Sequence, residues 1–130
     1  MKRLLDTNAY VALKRGHERV SELVRASTEL TFSVVVLGEL FFGFRNGSRL
    51  DKNTRELDEL LADARVSLLP VTRTTADRFG RLAAKLRRAG TPIPTNDIWI
   101  AAHAFESGAE LVTFDRHFEA IEGLVWIHIA

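Results

Sequence analysis

Cysteine is absent from this chain of 130 residues, and several other features are missing with it. Without thiols there is no disulfide bond, no thiolate nucleophile and no cysteine-bound zinc, which fits a reducing compartment. No segment approaches the roughly 20 consecutive apolar residues that a membrane-spanning helix needs, and the N-terminus lacks the apolar core of a signal peptide. We therefore expect a soluble protein of the cytoplasm.

An excess of charge of one sign is also missing. Lys and Arg total 18 against 17 Asp and Glu, so the formal net charge is +1. Because the overall field is weak, any polyanionic partner must be held by a local patch. The three prolines stand singly, and no linker-like stretch or internal repeat divides the chain. We expect residues 1–130 to form a single domain.

Short apolar segments alternate with helical patterns along the chain. Strands are predicted at 2–5, 31–33, 66–71, 111–113 and 125–129. Helical segments are predicted through 10–14 and at 18–26, 34–44, 53–64, 74–89, 95–107 and 117–121. This order predicts a parallel sheet covered on both faces, an α/β/α sandwich, whose ligands bind beyond the carboxyl ends of the strands. Capping boxes are predicted at Asn53 and Thr74, and Thr95 or Asn96 is the predicted cap of the helix ending at 107.

Four acids lie at the ends of apolar segments or inside them. Asp6 and Asp115 follow predicted strands, and Asp97 falls in the first turn of a helix, where the helix dipole favours an anion. Glu39 is the only charged residue in the segment 30–44. A carboxylate in apolar surroundings must be paired, protonated or coordinated to a cation. Convergence of the four at one edge of the sheet would favour a hard divalent ion.

Each acid also has an ordinary structural interpretation. Asp6 and Asp115 could close Asx turns after strands, and Asp97 could stabilise the start of a helix. Glu39 could pair with Arg45 or with a more distant base, since its helical neighbours cannot pair with it. Four polar residues that adjoin the acids could orient water or a carboxylate, or could serve only as caps and turn residues: Thr7, Asn8, Asn96 and Thr113.

Four segments, taken together and in order, resemble the PIN-domain ribonucleases. They are LLDTN at 4–8, LGELFFG at 37–43, NDIWIAAHA at 96–104 and LVTFDRHF at 111–118. The resemblance is greatest to the VapC toxins of bacterial and archaeal toxin–antitoxin pairs, and it spans almost the whole chain. It implies a PIN-like α/β/α sandwich with a short central parallel sheet.

The resemblance further implies an endoribonuclease that depends on one or two Mg²⁺ or Mn²⁺ ions. By position, Asp6, Asp97 and Asp115 match metal-binding aspartates, and Glu39 matches an acid that binds metal directly or through water. Thr113 matches a hydroxyl residue that often precedes the last aspartate. Hydrolysis would leave 5′-phosphate and 3′-hydroxyl ends.

Partners are implied by the same resemblance. A small antitoxin protein would cover the acidic rim, and the chain would form a homodimer. Four aromatic residues could line an apolar groove for the antitoxin, although we expect them in the core: Phe41, Phe42, Phe44 and Trp99. Some relatives carry a further acid after the last aspartate, and whether Glu119 serves in that role is left open.

Two basic groups could hold RNA. One is a stripe on the predicted helix 74–89, which also matches an ordinary solvated helix face: Arg78, Arg81, Lys85 and Arg88. The other adjoins the Glu39 helix, and we expect it to contact the substrate: Arg45, Arg49, Lys52 and Arg55.

Other α/β domains with a strand-end aspartate fit the sequence less well. A receiver domain needs paired acids after its first strand and a late lysine, but residues 3–6 read RLLD and no lysine follows Lys85. A haloacid-dehalogenase-like phosphatase needs an acid at the position of Asn8. Two variants of the PIN interpretation stay open: a nuclease of RNA processing that is no toxin, and a catalytically silent module that binds RNA or a partner.

Overall fold

The computed structural model describes all 130 residues, which form five strands, six α-helices and one 3₁₀ helix. The strands are β1 Lys2–Leu5, β2 Glu29–Ser33, β3 Val66–Leu69, β4 Glu110–Thr113 and β5 Trp126–His128. The α-helices are α1 Thr7–Lys14, α2 Glu18–Ala26, α3 Val34–Arg45, α4 Leu50–Leu61, α5 Arg73–Ala89 and α6 Thr95–Ser107; the 3₁₀ helix is Arg116–Ala120. None of these helices combines the length and apolar character needed to cross a membrane.

All neighbouring strands are parallel, in the order β3-β2-β1-β4-β5. The chain begins at the centre, moves outward through β2 to β3, and then crosses to β4 and β5 on the other side of β1. Right-handed crossovers that run in opposite directions place their helices on opposite faces of the sheet. The predicted α/β/α sandwich with a parallel sheet is therefore confirmed, and its topological switch point lies between β1 and β4.

The central strands are buried on both faces, which explains their apolar sequences. Leu4 and Leu5 of β1, Phe32 of β2 and Val112 of β4 are fully buried and belong to one cluster of 23 buried apolar residues. Parallel strands covered by helices on both sides need such uninterrupted apolar runs. Polar side chains are consequently concentrated where the strands end.

Two predicted helix starts were wrong because similar capping signals stand at neighbouring positions. Helix α4 begins at Leu50, so Asn53 lies inside the helix, and no side chain caps this helix. Helix α5 begins after Thr72, whose hydroxyl and backbone form a capping box with Thr75 rather than one starting at Thr74. Adjacent threonines offer the same donors and acceptors, so the sequence does not fix the offset.

The predicted cap of α6 was also wrong. Pro94 occupies the N-cap position, and no side chain bonds to the first turn. The amide of Asn96 instead points across to α3, where it donates to the Oε2 atom of Glu39 at 3.3 Å. A residue that looks like a cap in sequence is therefore available to the candidate site.

A buried histidine joins α6 to the carboxyl ends of two strands. The Nε2 atom of His103 lies 3.0 Å from the Pro70 carbonyl oxygen, which can only accept, so Nε2 carries the proton. The Nδ1 atom lies 2.8 Å from the Ser33 hydroxyl oxygen, and this oxygen accepts from the Val35 amide at the start of α3. The imidazole thereby fixes α3 and α6, each of which carries a candidate site acid.

Replacing His103 with Leu should destabilise the fold by about 2–4 kcal/mol, because it removes the histidine partner of the buried Ser33 hydroxyl and of the part-buried Pro70 carbonyl. Urea denaturation of the metal-free protein measures the loss. The S33A/H103L double variant should lose less than the sum of the two single variants, since both remove the same hydrogen bond. Strictly additive losses, or an unchanged midpoint for H103L, would contradict this role.

Candidate metal centre

The candidate site lies at the carboxyl edge of the sheet, at the switch point between β1 and β4. Asp6 directly follows β1, and Asp115 stands two residues after the end of β4. These two strands are neighbours, with Leu5 opposite Val112, so both acids leave the sheet at the same place. The fold thus brings together residues that are more than 100 positions apart in sequence.

Asp6 is the most buried of the four acids, with 7% of its surface exposed. Its Oδ1 atom accepts from the Ala9 amide at 2.9 Å and caps α1, and its Oδ2 atom accepts from the Thr113 hydroxyl at 2.5 Å. Burial raises the pKa of Asp6 to about 6 against the lowering effect of these two bonds, and the nearby charges of Asp97 and Asp115 raise it further. No base neutralises this carboxylate.

Asp97 and Asp115 share one histidine. The Nδ1 atom of His117 lies 3.2 Å from Oδ2 of Asp97 and 2.9 Å from Oδ2 of Asp115. The ligand atoms of these three side chains all fall within 4.8 Å of one another. Burial raises the pKa of Asp97, the hydrogen bond from His117 lowers it, and the charges of Asp115 and Glu39 raise it again. The two carboxylates therefore face a common point that favours a positive charge.

Glu39 projects toward the same rim from the second turn of α3. Its Oε1 atom accepts from the Thr7 hydroxyl at 2.5 Å, and its Oε2 atom accepts from the Asn96 amide. It forms no ion pair, so the alternative of a buried pair with Arg45 or another base is wrong. Neutral donors orient this carboxylate and leave its charge in place.

The two strand-end aspartates do cap the helical segments that follow them, as their structural interpretation predicts. Asp6 caps α1, and the Oδ1 atom of Asp115 accepts from the His117 amide at the start of the 3₁₀ helix. Each cap uses one carboxylate oxygen and fixes the direction of the other. A capping role and a ligand role are thus compatible in the same side chain.

Sequence reasoning placed three supporting residues beside the acids and missed a fourth. Thr7, Asn96 and Thr113 all donate to site carboxylates. Asn8 is exposed and lies in a different surface depression, beside His17 and Phe114. The missed residue is His117, and its signal was the spacing Asp115-Arg-His, which allows the turn that returns the ring to the aspartate.

The donor set suits a hard divalent cation. Three aspartates, a glutamate and neutral hydroxyl and amide groups surround the rim, and carboxylate oxygens are the ligands that Mg²⁺ and Mn²⁺ prefer. Burial is the main cause of the raised pKa values of Asp6 and Asp97, and the charges of the neighbouring acids raise them further, so a bound cation would favour the ionised form of both. Glu119 is exposed on the 3₁₀ helix and does not belong to the group of Asp97, Asp115 and His117.

A family model of the PIN domain matches residues 3–124 of the chain. The chain belongs to the PIN-domain family. Ribonuclease VapC1 of Haemophilus influenzae (strain R2866) is 33% identical over 129 residues, covering 95% of this chain and 94% of the relative. Ribonuclease VapC5 of Mycobacterium tuberculosis is 30% identical over 126 residues, covering 97% and 92%. The resemblance to VapC proteins inferred from the four segments is thus confirmed.

Solved structures give the same assignment for this PIN domain. The VapBC-1 structure from nontypeable Haemophilus influenzae superposes with a TM-score of 0.85, at 28% identity and 98% coverage of both chains. The DNA-bound VapBC structure from Salmonella typhimurium also has a TM-score of 0.85, at 29% identity and 98% coverage of both chains. The PIN-like fold inferred from sequence is confirmed over essentially the full length.

The basic stripe on α5 of this PIN domain behaves as a solvated outer face. Arg81 pairs with Asp77, and Lys85 pairs with Glu122. Arg78 stacks its guanidinium over the ring of Phe105 at 5.5 Å. These contacts within the chain are typical of surface helices.

One aromatic residue was misplaced by sequence reasoning. Phe41 and Phe44 are partly buried against the core, and Trp99 stacks on Phe79 with ring centroids 4.0 Å apart. Phe42, in contrast, is 71% exposed, so the expectation of a core position was wrong for it. An amphipathic helix turns its outer face to solvent whatever the residue, and Val34 and Gly38 lie exposed on the same side of α3.

Asp6 should make the stability of the metal-free protein depend on pH. Its pKa rises from 3.8 to about 6 on folding, so the folded state holds the proton more tightly than the unfolded state. The contribution of Asp6 to stability is therefore fully present below pH 3.8 and is lost as the pH rises through about 6. A shift of this size corresponds to about 3 kcal/mol.

The variant D6N lacks this ionisation. In EDTA at pH 7.5 we expect D6N to be more stable than the wild type by about 1–3 kcal/mol. The gain is smaller if the variant loses the hydrogen bond from the Thr113 hydroxyl. The difference should shrink toward pH 4. Chemical denaturation at several pH values measures it, and a D6N protein less stable than the wild type at pH 7.5 would contradict the assignment.

Proposed function

We propose that the chain is a divalent-metal-dependent endoribonuclease that acts in the cytoplasm as the toxin of a VapBC-like toxin–antitoxin pair. The observation that carries the proposal is the convergence of Asp97 and Asp115 on one point, with Asp6 and Glu39 at the same rim and no lysine or arginine paired with any of the four. Curated relatives that are called VapC ribonucleases support the same activity.

The acids divide into two roles in this proposal. Asp6, Asp97 and Asp115 would hold Mg²⁺ or Mn²⁺, and Glu39, bound directly or through water, would position the attacking water or a second ion. When bound, a divalent ion supplies Lewis acidity and activates water for phosphodiester hydrolysis. Thr113 fixes the Oδ2 atom of Asp6, so the carboxylate keeps one orientation as the substrate enters.

Glu39 is suited to the attacking side of the reaction. Thr7 and Asn96 each donate to one of its oxygens, so the carboxylate is oriented without losing its charge. An ionised carboxylate held in this way can accept a proton from water at Oε2. Attack on the phosphorus with departure of the 3′-oxygen leaves 5′-phosphate and 3′-hydroxyl ends.

A protein antitoxin and a second copy of the chain are the proposed partners. Solved relatives are VapBC complexes, and some are bound to DNA. The exposed side of α3 supports a protein interface near the site, since Val34, Gly38 and Phe42 form an apolar strip along it. We propose that the antitoxin covers the acidic rim and that the chain forms a homodimer.

The cleavage reaction can be tested with D97N. Purified wild-type protein should cut total RNA in Mg²⁺ or Mn²⁺, stop in EDTA and recover when the ion is restored. D97N should lose at least about a hundredfold in rate, because it removes one of the carboxylates that would hold the divalent ion on which hydrolysis depends. Gel electrophoresis with end-group analysis measures both the rate and the product ends.

The matched control is D77N, which removes an exposed aspartate that pairs only with Arg81 on α5. It should cut at the wild-type rate. Undiminished cleavage by D97N, or cleavage that survives EDTA, would refute the metal-dependent mechanism. An intact fold with no cleavage of any RNA would instead favour a silent RNA- or partner-binding module.

A further inference from the structure

A groove runs alongside the candidate metal centre between α1, α3 and the start of α4. Its volume is about 460 Å³, and Thr7 and Glu39 of the site form part of its wall. The charged residues that line it are Lys14, Arg15, Arg49, Lys52, Glu39 and Glu56. Four bases thus face two acids in a chain whose net charge is only +1. The groove is a local basic surface that opens directly beside the site.

The groove also contains a polar group without a partner. Tyr10 lines it and is only 2% exposed, with its ring packed edge-on against Phe32. Its hydroxyl forms no hydrogen bond within the protein. Every fully buried polar side-chain atom of the chain has a partner, so this hydroxyl is not fully buried and reaches the groove. Burial and the nearby Glu56 carboxylate raise the pKa of Tyr10 to about 12, which keeps the hydroxyl a donor. A buried tyrosine hydroxyl ordinarily has a partner.

The groove divides the basic cluster that the sequence suggested. Arg49 and Lys52 lie in it, whereas Arg45 and Arg55 line a separate cavity of about 630 Å³ on the other side of α4. That second cavity carries more acids than bases, because three acidic residues accompany the two arginines: Asp51, Asp58 and Glu59. A phosphate chain is favoured in the first cavity and disfavoured in the second.

We propose that the groove binds the RNA backbone next to the scissile bond, with Arg49, Lys52, Lys14 and Arg15 contacting phosphates and the Tyr10 hydroxyl donating to a phosphate or ribose oxygen. This proposal rests on the proposed ribonuclease function and extends it from the acids to the path of the substrate. Phosphate contacts of this kind fix the register of a strand without reading its sequence.

Glu56 lies where it would compete with RNA phosphates for the lysines of this groove. Its carboxylate pairs with Lys14 and with Lys52, at 3.4 Å in each case. An incoming phosphate would have to compete with Glu56 for both lysines. Removing the charge of Glu56 should therefore strengthen RNA binding, which is the opposite of what loss of an ordinary structural ion pair would do.

The first test compares two double variants with equal changes in charge, R49Q/K52Q in the groove and R45Q/R55Q in the acidic cavity. Fluorescence anisotropy with a fluorescein-labelled, random-sequence RNA of 12 nucleotides, in EDTA to prevent cleavage, measures affinity across a salt series. R49Q/K52Q should weaken binding by about tenfold or more and reduce the salt slope by about 1.4, as expected for two lost phosphate contacts. R45Q/R55Q should keep affinity within about twofold of the wild type.

The second test uses single substitutions with the same probe. E56Q should tighten RNA binding, while E59Q, which removes the same charge one turn further along α4, should change it little. Y10F keeps the buried ring and removes only the donor, so it should weaken binding by about fivefold without changing the salt slope. Thermal unfolding checks that each variant is folded.

Several results would overturn the groove assignment. Equal losses in the two double variants would show a general charge effect, and weaker binding in E56Q would show that Glu56 acts structurally. An unchanged RNA affinity of R49Q/K52Q together with a weakened antitoxin complex would assign the groove to the protein partner. Failure of the proposed function is distinguishable, because RNA would then bind as described in EDTA while no cleavage occurred with Mg²⁺ or Mn²⁺.

Discussion

Electrostatic repulsion among carboxylates gathered at one edge of the sheet is the constraint on which the site depends. The switch point between β1 and β4 forces Asp6 and Asp115 together, and α6 adds Asp97 beside them. Burial and mutual repulsion raise the pKa of Asp6 and of Asp97. The fold tolerates this because its hydrophobic core and the buried His103 network hold the strands and helices in place.

The side chains that contact the acids explain why the charge persists. Threonine hydroxyls and an asparagine amide donate to Asp6 and Glu39, and the capping amides hold one oxygen of Asp6 and of Asp115. Neutral donors fix direction without cancelling charge, whereas an arginine or lysine would complete the pairing and leave less charge for a cation to neutralise. A histidine is the one titratable exception, and it lies at the exposed side of the rim.

The fold could be predicted because strands, helices and strand-end acids are each visible in a short stretch of the sequence. Apolar strands separated by helices imply a parallel sheet, and strand-end acids imply a common edge, so the sequence alone places Asp6 and Asp115 together. The isolation of Glu39 in an apolar segment was informative for the same reason. His117 was missed because its ring reaches Asp97 and Asp115 only through the turn of the 3₁₀ helix, which the sequence does not reveal.

The sequence did not show which way the basic residues of α4 face, because that depends on where the helix begins and how it packs. The basic residues between 45 and 55 look like one cluster in sequence, but α4 begins at Leu50 and turns Lys52 and Arg55 toward different cavities. The misplaced start at Asn53 concealed this division. Similarly, the sequence does not show that Tyr10 lines a groove, because the groove forms only where α1 and α4 meet. Surfaces made by several elements are where the sequence alone is least informative.

The central claim is that distant carboxylates meet to hold a divalent cation. Anomalous diffraction from a crystal soaked in Mn²⁺ tests it most directly. We predict a single strong anomalous peak, or a pair of adjacent peaks, in contact with carboxylate oxygens of Asp97 and Asp115 and next to those of Asp6. A peak elsewhere, or a fully ordered rim with no peak at saturating Mn²⁺, would contradict the claim.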